Sequence, residues 1–300
     1  MLWRGGRRSE NVEDRRGMGM PAGMRFPGGR GGGGFGRVGL AGGVVLLLVS
    51  LLFGIDPGVI LDQTTPAPGN QSAYPPGPTR SASDDELREF VSVVLADTED
   101  TWNAVFAEAG RDYREPTLVL FSGAVDSACG FAQAAVGPFY CPLDQKVYID
   151  LSFYRDLRNR FQAPGDFAQA YVIAHEIGHH VQNLLGITGE VRSTQRAVSR
   201  SESNALSVRV ELQADCLSGI WANHAQRERR VLEPGDIDEA LNAASAIGDD
   251  RLQAQSRGYV TPDSFTHGTS EQRANWFYRG FQAGNMQACD TFSGETAAGG

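Results

Sequence analysis

Lysine is almost missing from this chain of 300 residues: Lys146 is the only one, and the rest of its 27 basic residues are arginine. We read that as the codon bias of a GC-rich, bacterial genome rather than as mechanism. Histidine is scarce too, with five in all, so each one has to be accounted for. None of the four cysteines (Cys129, Cys141, Cys216 and Cys289) sits in a Cys-x-x-Cys pair. That removes a thiolate zinc site and a thioredoxin-like redox motif. A net positive charge is confined to the first 37 residues. Eight arginines against Glu10, Glu13 and Asp14 give that stretch a net +5, and with −9 for the whole chain the remainder carries −14. An acidic body excludes the basic face of a nucleic-acid-binding domain, and no nucleic-acid partner is expected. No internal repeat is visible.

Long apolar runs are also few, and one stands out. Val38 to Ile55 is uncharged, with Val44 to Val49 at its centre, and eighteen residues are just enough to cross a bilayer as a helix. Thirty-seven residues precede it and no small-residue cleavage site follows, so a signal anchor is expected rather than a removable signal peptide. Arginines before the run and none just after it predict a single-pass membrane protein, N-terminus in the cytoplasm and body outside. Residues 1–37 are then expected as a disordered Arg/Gly-rich cytoplasmic tail. Residues 56–82, rich in Pro, Gly and Ser, read as a linker, 83–292 as the folded domain and 293–300 as a flexible end. Four cysteines beyond the membrane run predict two disulfides; of three pairings, Cys129–Cys141 with Cys216–Cys289 is the simplest.

Within the body, Ser83-Asp84-Asp85-Glu86 has the form of a capping box, and Leu87, Phe90, Val94 and Trp102 give the helix after it an apolar face. Short strands are expected at Thr117–Phe121, Phe139–Cys141 and Lys146–Leu151. Pro164-Gly165-Asp166 opens a helix, with Asp166 as its cap, running to Gly186. Further helices are expected from about Arg200 to Arg227, from Asp236 to near Gly248, and after a cap at Thr269. This is a helix-rich α+β domain with a small early sheet, preceded by a single transmembrane helix. Gly178 costs about 1 kcal/mol relative to Ala inside a helix, which points to close approach of another element there.

The chemistry lies in His175-Glu176-Ile177-Gly178-His179. Two imidazoles four residues apart on a helix share a face, so both can reach one metal ion with Glu176 beside them. A catalytic zinc wants three protein ligands and an open position. Glu211 and Asp215, again four apart, supply a candidate third ligand and a carboxylate to accept the outer N–H of a ligand histidine.

These segments, together with Ser264-Phe265-Thr266-His267-Gly268-Thr269-Ser270-Glu271-Gln272-Arg273, resemble the putative neutral zinc metallopeptidase family of bacteria (YpfJ type). The second and third blocks are also similar to motifs of HtpX-type gluzincins, with Gly268 in place of a proline. The resemblance implies a zincin fold and one Zn²⁺ held by His175, His179 and Glu211, with Glu176 as general base. His267 or Arg273 would stabilise the oxyanion, and Lys146–Leu151 would be the edge strand that receives an extended peptide or unfolded protein. The expected function is membrane-anchored zinc endopeptidase. A catalytically silent zincin-fold binding or scaffold protein is the alternative.

Overall fold

A computed structural model describes residues 1–16, 82–133 and 137–293. The expected membrane run at 38–55, most of the 56–82 linker and all but the first residue of the 293–300 end lie outside them. Among the described residues no helix is long and apolar enough to cross a membrane.

The body opens with helix α1 (Ala82–Glu108), whose Phe90, Val91, Val94 and Trp102 are buried. Strand β2 (Thr117–Phe121) follows the short N-terminal strand β1 (Val12–Asp14); the hairpin β3 (Ala124–Ser127) and β4 (Gly130–Gln133) forms its own two-stranded sheet. Strands β5 (Phe139–Cys141) and β6 (Lys146–Asp150) complete a four-stranded sheet in the order β1-β2-β6-β5. The β1–β2 and β2–β6 pairs are parallel, and β5 runs antiparallel to β6. Leu118, Val119 and Leu120 are fully buried, as a parallel strand covered on both faces requires. The expected strand at Lys146–Leu151 is therefore an inner strand, not the edge. The edge beside it is β5, because the turn at Pro142–Gln145, with Gln145 at φ 58°, folds it back beside β6, while β1 forms the other edge.

Eight helices carry the rest. After α1 come α2 (Ser152–Asn159), α3 (Asp166–Leu184), α4 (Ile187–Gln195), α5 (Arg200–His224), α6 (Asp236–Ala246), α7 (Asp249–Arg257) and α8 (Ser270–Ala283), in the described residues. The cap expected at Asp166 falls one residue earlier, on Gly165 at φ 122°, a conformation glycine alone takes without strain. The Thr269/Gln272 capping box of α8 forms as expected, and Ser199 with Glu202 makes a second one that opens α5. Helix α3 is the centre of the molecule: fourteen of its nineteen residues are buried, so its polar side chains must find partners inside the protein. At Gly178 an added Cβ would sit 2.9 Å from the Ala214 carbonyl oxygen, so α3 and α5 touch there backbone to backbone.

The disulfides are Cys129–Cys141 and Cys216–Cys289. The second ties α5 to the C-terminal segment.

Residues 1–16 correct the expectation of a disordered tail. Met1 and Trp3 are buried, Trp3 edge-on to Phe90 with ring centroids 5.5 Å apart, and burial of such side chains is worth about 1.5–3 kcal/mol each. Charge does as much. Arg7 pairs with Glu99 at 2.9 Å and Asp100 at 2.8 Å, Arg4 with Glu86, Arg8 with Glu89, and Lys146 with Glu13 at 2.9 Å. Arg4, Arg7 and Arg8 thus meet acidic residues of α1.

Candidate metal centre

Burial of a helix on every side makes each polar group on α3 a question of partners, and the answers define a site. His175 points Nε2 at Glu211 Oε2, 3.2 Å away, and His179 points Nε2 at Glu211 Oε1, 3.5 Å away. One ligand atom from each of the three lies within 4.8 Å of the others. The contact of α3 and α5 at Gly178 is what lets Glu211, on a different helix, reach both imidazoles.

The opposite nitrogens are tied down. His175 Nδ1 lies 2.8 Å from Asp215 Oδ1, and a carboxylate only accepts, so Nδ1 carries a proton and Nε2 is the nitrogen left to face a metal. Asp215 is wholly buried and also accepts from Tyr171 OH at 2.6 Å, from Arg273 Nε at 2.9 Å and from Arg273 Nη2 at 3.0 Å. His179 Nδ1 lies 2.9 Å from Gln182 Oε1. The amide is oriented by its nitrogen, which donates to the Val210 carbonyl at 2.7 Å and to Gln213 Oε1 at 3.0 Å, so Oε1 accepts from His179. Both imidazoles are therefore held in the tautomer a metal ligand needs.

The electrostatics describe a nest that wants positive charge. Burial works against protonating His175, yet Asp215 and Glu211 outweigh it and raise its pKa to about 10. His179 is raised as well, burial being overcome by Glu211. Burial disfavours charge on Glu211, but His179 and His175 hold its carboxyl well below the usual range. Glu176, buried beside them, is pushed upward by desolvation, with the two histidines opposing. Two imidazole nitrogens and one carboxylate, pre-oriented around a common point, fit the donor set of a catalytic zinc.

Glu176, His175, His179, Glu211, His267 and Arg273 all line one cavity of about 480 Å³, walled on one side by Phe139 and Tyr140 of β5. Arg273 is 2% exposed and gives Nε and Nη2 to Asp215; its nearest approach to Glu211 is 4.0 Å. His267 is half-buried and its loop is wrapped around Asp249, whose Oδ2 accepts from the backbone N–H of Thr266 at 2.7 Å, His267 at 2.6 Å and Gly268 at 3.2 Å. Gly268 has φ 91° and donates its N–H; proline could do neither, so this turn requires the glycine. Burial opposes charge on His267, but its hydrogen bond to Asp249 and the nearby Glu211 raise its pKa.

Four participants escaped the sequence reading. Gln182 sits three residues past His179, on the same helix face, a spacing that could have marked it. Tyr171 is four before His175, a position that apolar spacing alone assigns to the core. Asp249 and Tyr140 carry no local signal. Tyr140 OH donates to His180 Nδ1 at 2.9 Å and accepts from Asn183 Nδ2 at 3.1 Å, while His180 Nε2 donates to the Arg114 carbonyl at 2.6 Å. His180 is thus outside the metal cluster, as its 100° offset from His179 requires. It joins the metal helix to the edge strand.

Comparison with known proteins agrees with this geometry. A family model described as putative neutral zinc metallopeptidase matches residues 1–292. The chain is 51% identical over 304 residues to the uncharacterized protein YpfJ of Escherichia coli K12, covering 97% of this chain and 99% of that one. It is 39% identical over 254 residues to the uncharacterized protein Rv2575 of Mycobacterium tuberculosis H37Rv, covering 81% and 85%, and equally so to Mb2605 of Mycobacterium bovis. No solved structure matches. The chain belongs to the putative neutral zinc metallopeptidase family.

Proposed function

We propose that this protein is a zinc-dependent endopeptidase acting on peptides or unfolded protein, with His175, His179 and Glu211 as the metal ligands. The observation that carries this reading is the pair of imidazoles whose Nδ1 protons are fixed by Asp215 and Gln182, so that both Nε2 atoms face Glu211 around a common point. Zinc bound there supplies a Lewis acid that polarises a carbonyl and lowers the pKa of water. Glu176 takes the proton of the attacking water and returns it to the leaving amine; its raised pKa suits a group that must both accept and donate. His267, facing the cavity with a raised pKa, is the donor to the oxyanion, whereas Arg273 is committed to Asp215 and positions it. The short strand β5, at an edge of the sheet among the described residues, stands at the cavity wall where an extended peptide could add beside it. Two disulfides support an oxidising, extracytoplasmic location for the body, and the apolar run Val38–Ile55 is the candidate membrane contact.

The test uses the full chain. Metal analysis should return one zinc per chain, and cleavage of an unfolded protein should stop with chelator and return with zinc. Glu176→Gln should keep its zinc and lose turnover by about 10²–10⁴-fold. Equal cleavage by that variant would sink the mechanism. A zinc-loaded wild-type chain that cleaves nothing would favour the silent scaffold instead.

A further inference from the structure

Two parts of the chain that flank the apolar run Val38–Ile55 are built into one sheet. Val12 of β1 lies opposite Leu118 of β2, and Asp14 opposite Leu120. The pairing extends past the strand: Leu118 N donates to the Asn11 carbonyl at 2.8 Å, Arg15 N to the Leu120 carbonyl at 2.8 Å, and Ser9 N to the Ser92 carbonyl at 3.0 Å. A side chain makes the dependence sharper. Glu99, on α1, is 1% exposed, and its carboxylate accepts from Arg7 Nη2 at 2.9 Å, Ser9 Oγ at 2.5 Å and Asn11 Nδ2 at 2.8 Å. All three donors precede residue 12. A buried carboxylate without such partners is strongly unfavourable, so the body carries a group that residues 7–11 satisfy.

A single membrane crossing between residues 16 and 82 would place these partners on opposite faces of about 30 Å of hydrocarbon. Three of the eight arginines that precede the apolar run, Arg4, Arg7 and Arg8, are spent on Glu86, Glu89, Glu99 and Asp100. The geometry points to a same-side topology: residues 1–16 and 82–293 occupy one compartment. The N-terminal segment is then an integral part of the extramembrane domain, and the single-pass arrangement with a cytoplasmic N-terminus does not apply.

Thiol accessibility in cells making the full chain tests this independently of any peptidase activity. All four cysteines are in disulfides, so one added cysteine gives one reactive thiol, with the parent chain as blank. Glu10→Cys reports the exposed N-terminal segment, Glu108→Cys the exposed end of α1, and Leu2→Cys, at a residue 59% exposed, repeats the first reading. Spheroplasts are treated with a membrane-impermeant maleimide before and after lysis. Same-side topology gives the same protection for all three positions, a ratio near one. An N-terminal thiol protected until lysis while Cys at 108 is labelled, or the reverse, overturns it.

Discussion

Asp215 and His175 share one hydrogen bond, Oδ1 to Nδ1 at 2.8 Å, and that bond decides which imidazole nitrogen faces Glu211. Asp215→Ala removes it and also strands the Arg273 guanidinium in the interior. Zinc affinity should fall about 10–100-fold. Stability should fall by about 3–5 kcal/mol, because a buried charge loses its partner. Zinc competition and chemical denaturation read the two effects separately; unchanged affinity would mean that the tautomer is set by something else.

Gln182 plays the same part for His179 through a neutral amide, so its loss should be milder. Gln182→Leu should weaken zinc binding by about tenfold, at the lower end of the range for such partners. The comparison of Gln182→Leu with Asp215→Ala, both by zinc competition, checks whether charge on the supporting group matters.

His180 predicts a pH dependence. It is fully buried, and desolvation lowers its pKa to about 4, with its hydrogen bond to the Arg114 carbonyl opposing. The folded pKa lies below the unfolded value of about 6.5, so the unfolded chain binds the proton first. The stabilisation is present above pH 6.5 and is lost as pH falls toward 4, by about 3 kcal/mol in all. Denaturation curves between pH 7 and 4 should be flatter for His180→Gln than for the parent. Parallel curves would rule out the assignment.

Gly178 sets the distance between the two helices that carry the candidate ligands. Gly178→Ala would press a methyl group onto the Ala214 backbone, 2.9 Å away, and should cost about 1–3 kcal/mol by overpacking. Because Glu211 rides on the displaced helix, zinc affinity should fall as well. A destabilised variant with native zinc affinity would show that the ligand set tolerates helix movement.

Much of the fold could be read locally. Strands at Thr117–Phe121 and Phe139–Cys141 fall where alternation and flanking turn residues put them, and the simplest cysteine pairing is the observed one. The hairpin β3–β4 was missed because Asp126, Ser127 and Gly130 dilute its apolar pattern, and α2, α4 and α7 because each is only eight or nine residues long. Strand β1 was missed for a different reason. Val12-Glu13-Asp14 has no strand signature, and its stability comes from partners more than a hundred residues away.

By itself the sequence determined the local geometry of the candidate ligands, since four-residue spacing on a helix puts His175 beside His179 and Glu211 beside Asp215 whatever surrounds them. It also determined that Gly178 would mark a close approach. Tertiary structure alone decided which carboxylate meets which imidazole, that Gln182 and Asp249 hold His179 and the His267 loop, and that Arg273 serves Asp215. It alone decided that the N-terminal arginines pair with α1. Those choices depend on burial, which makes an unpaired polar group costly and so selects partners by proximity in space rather than along the chain.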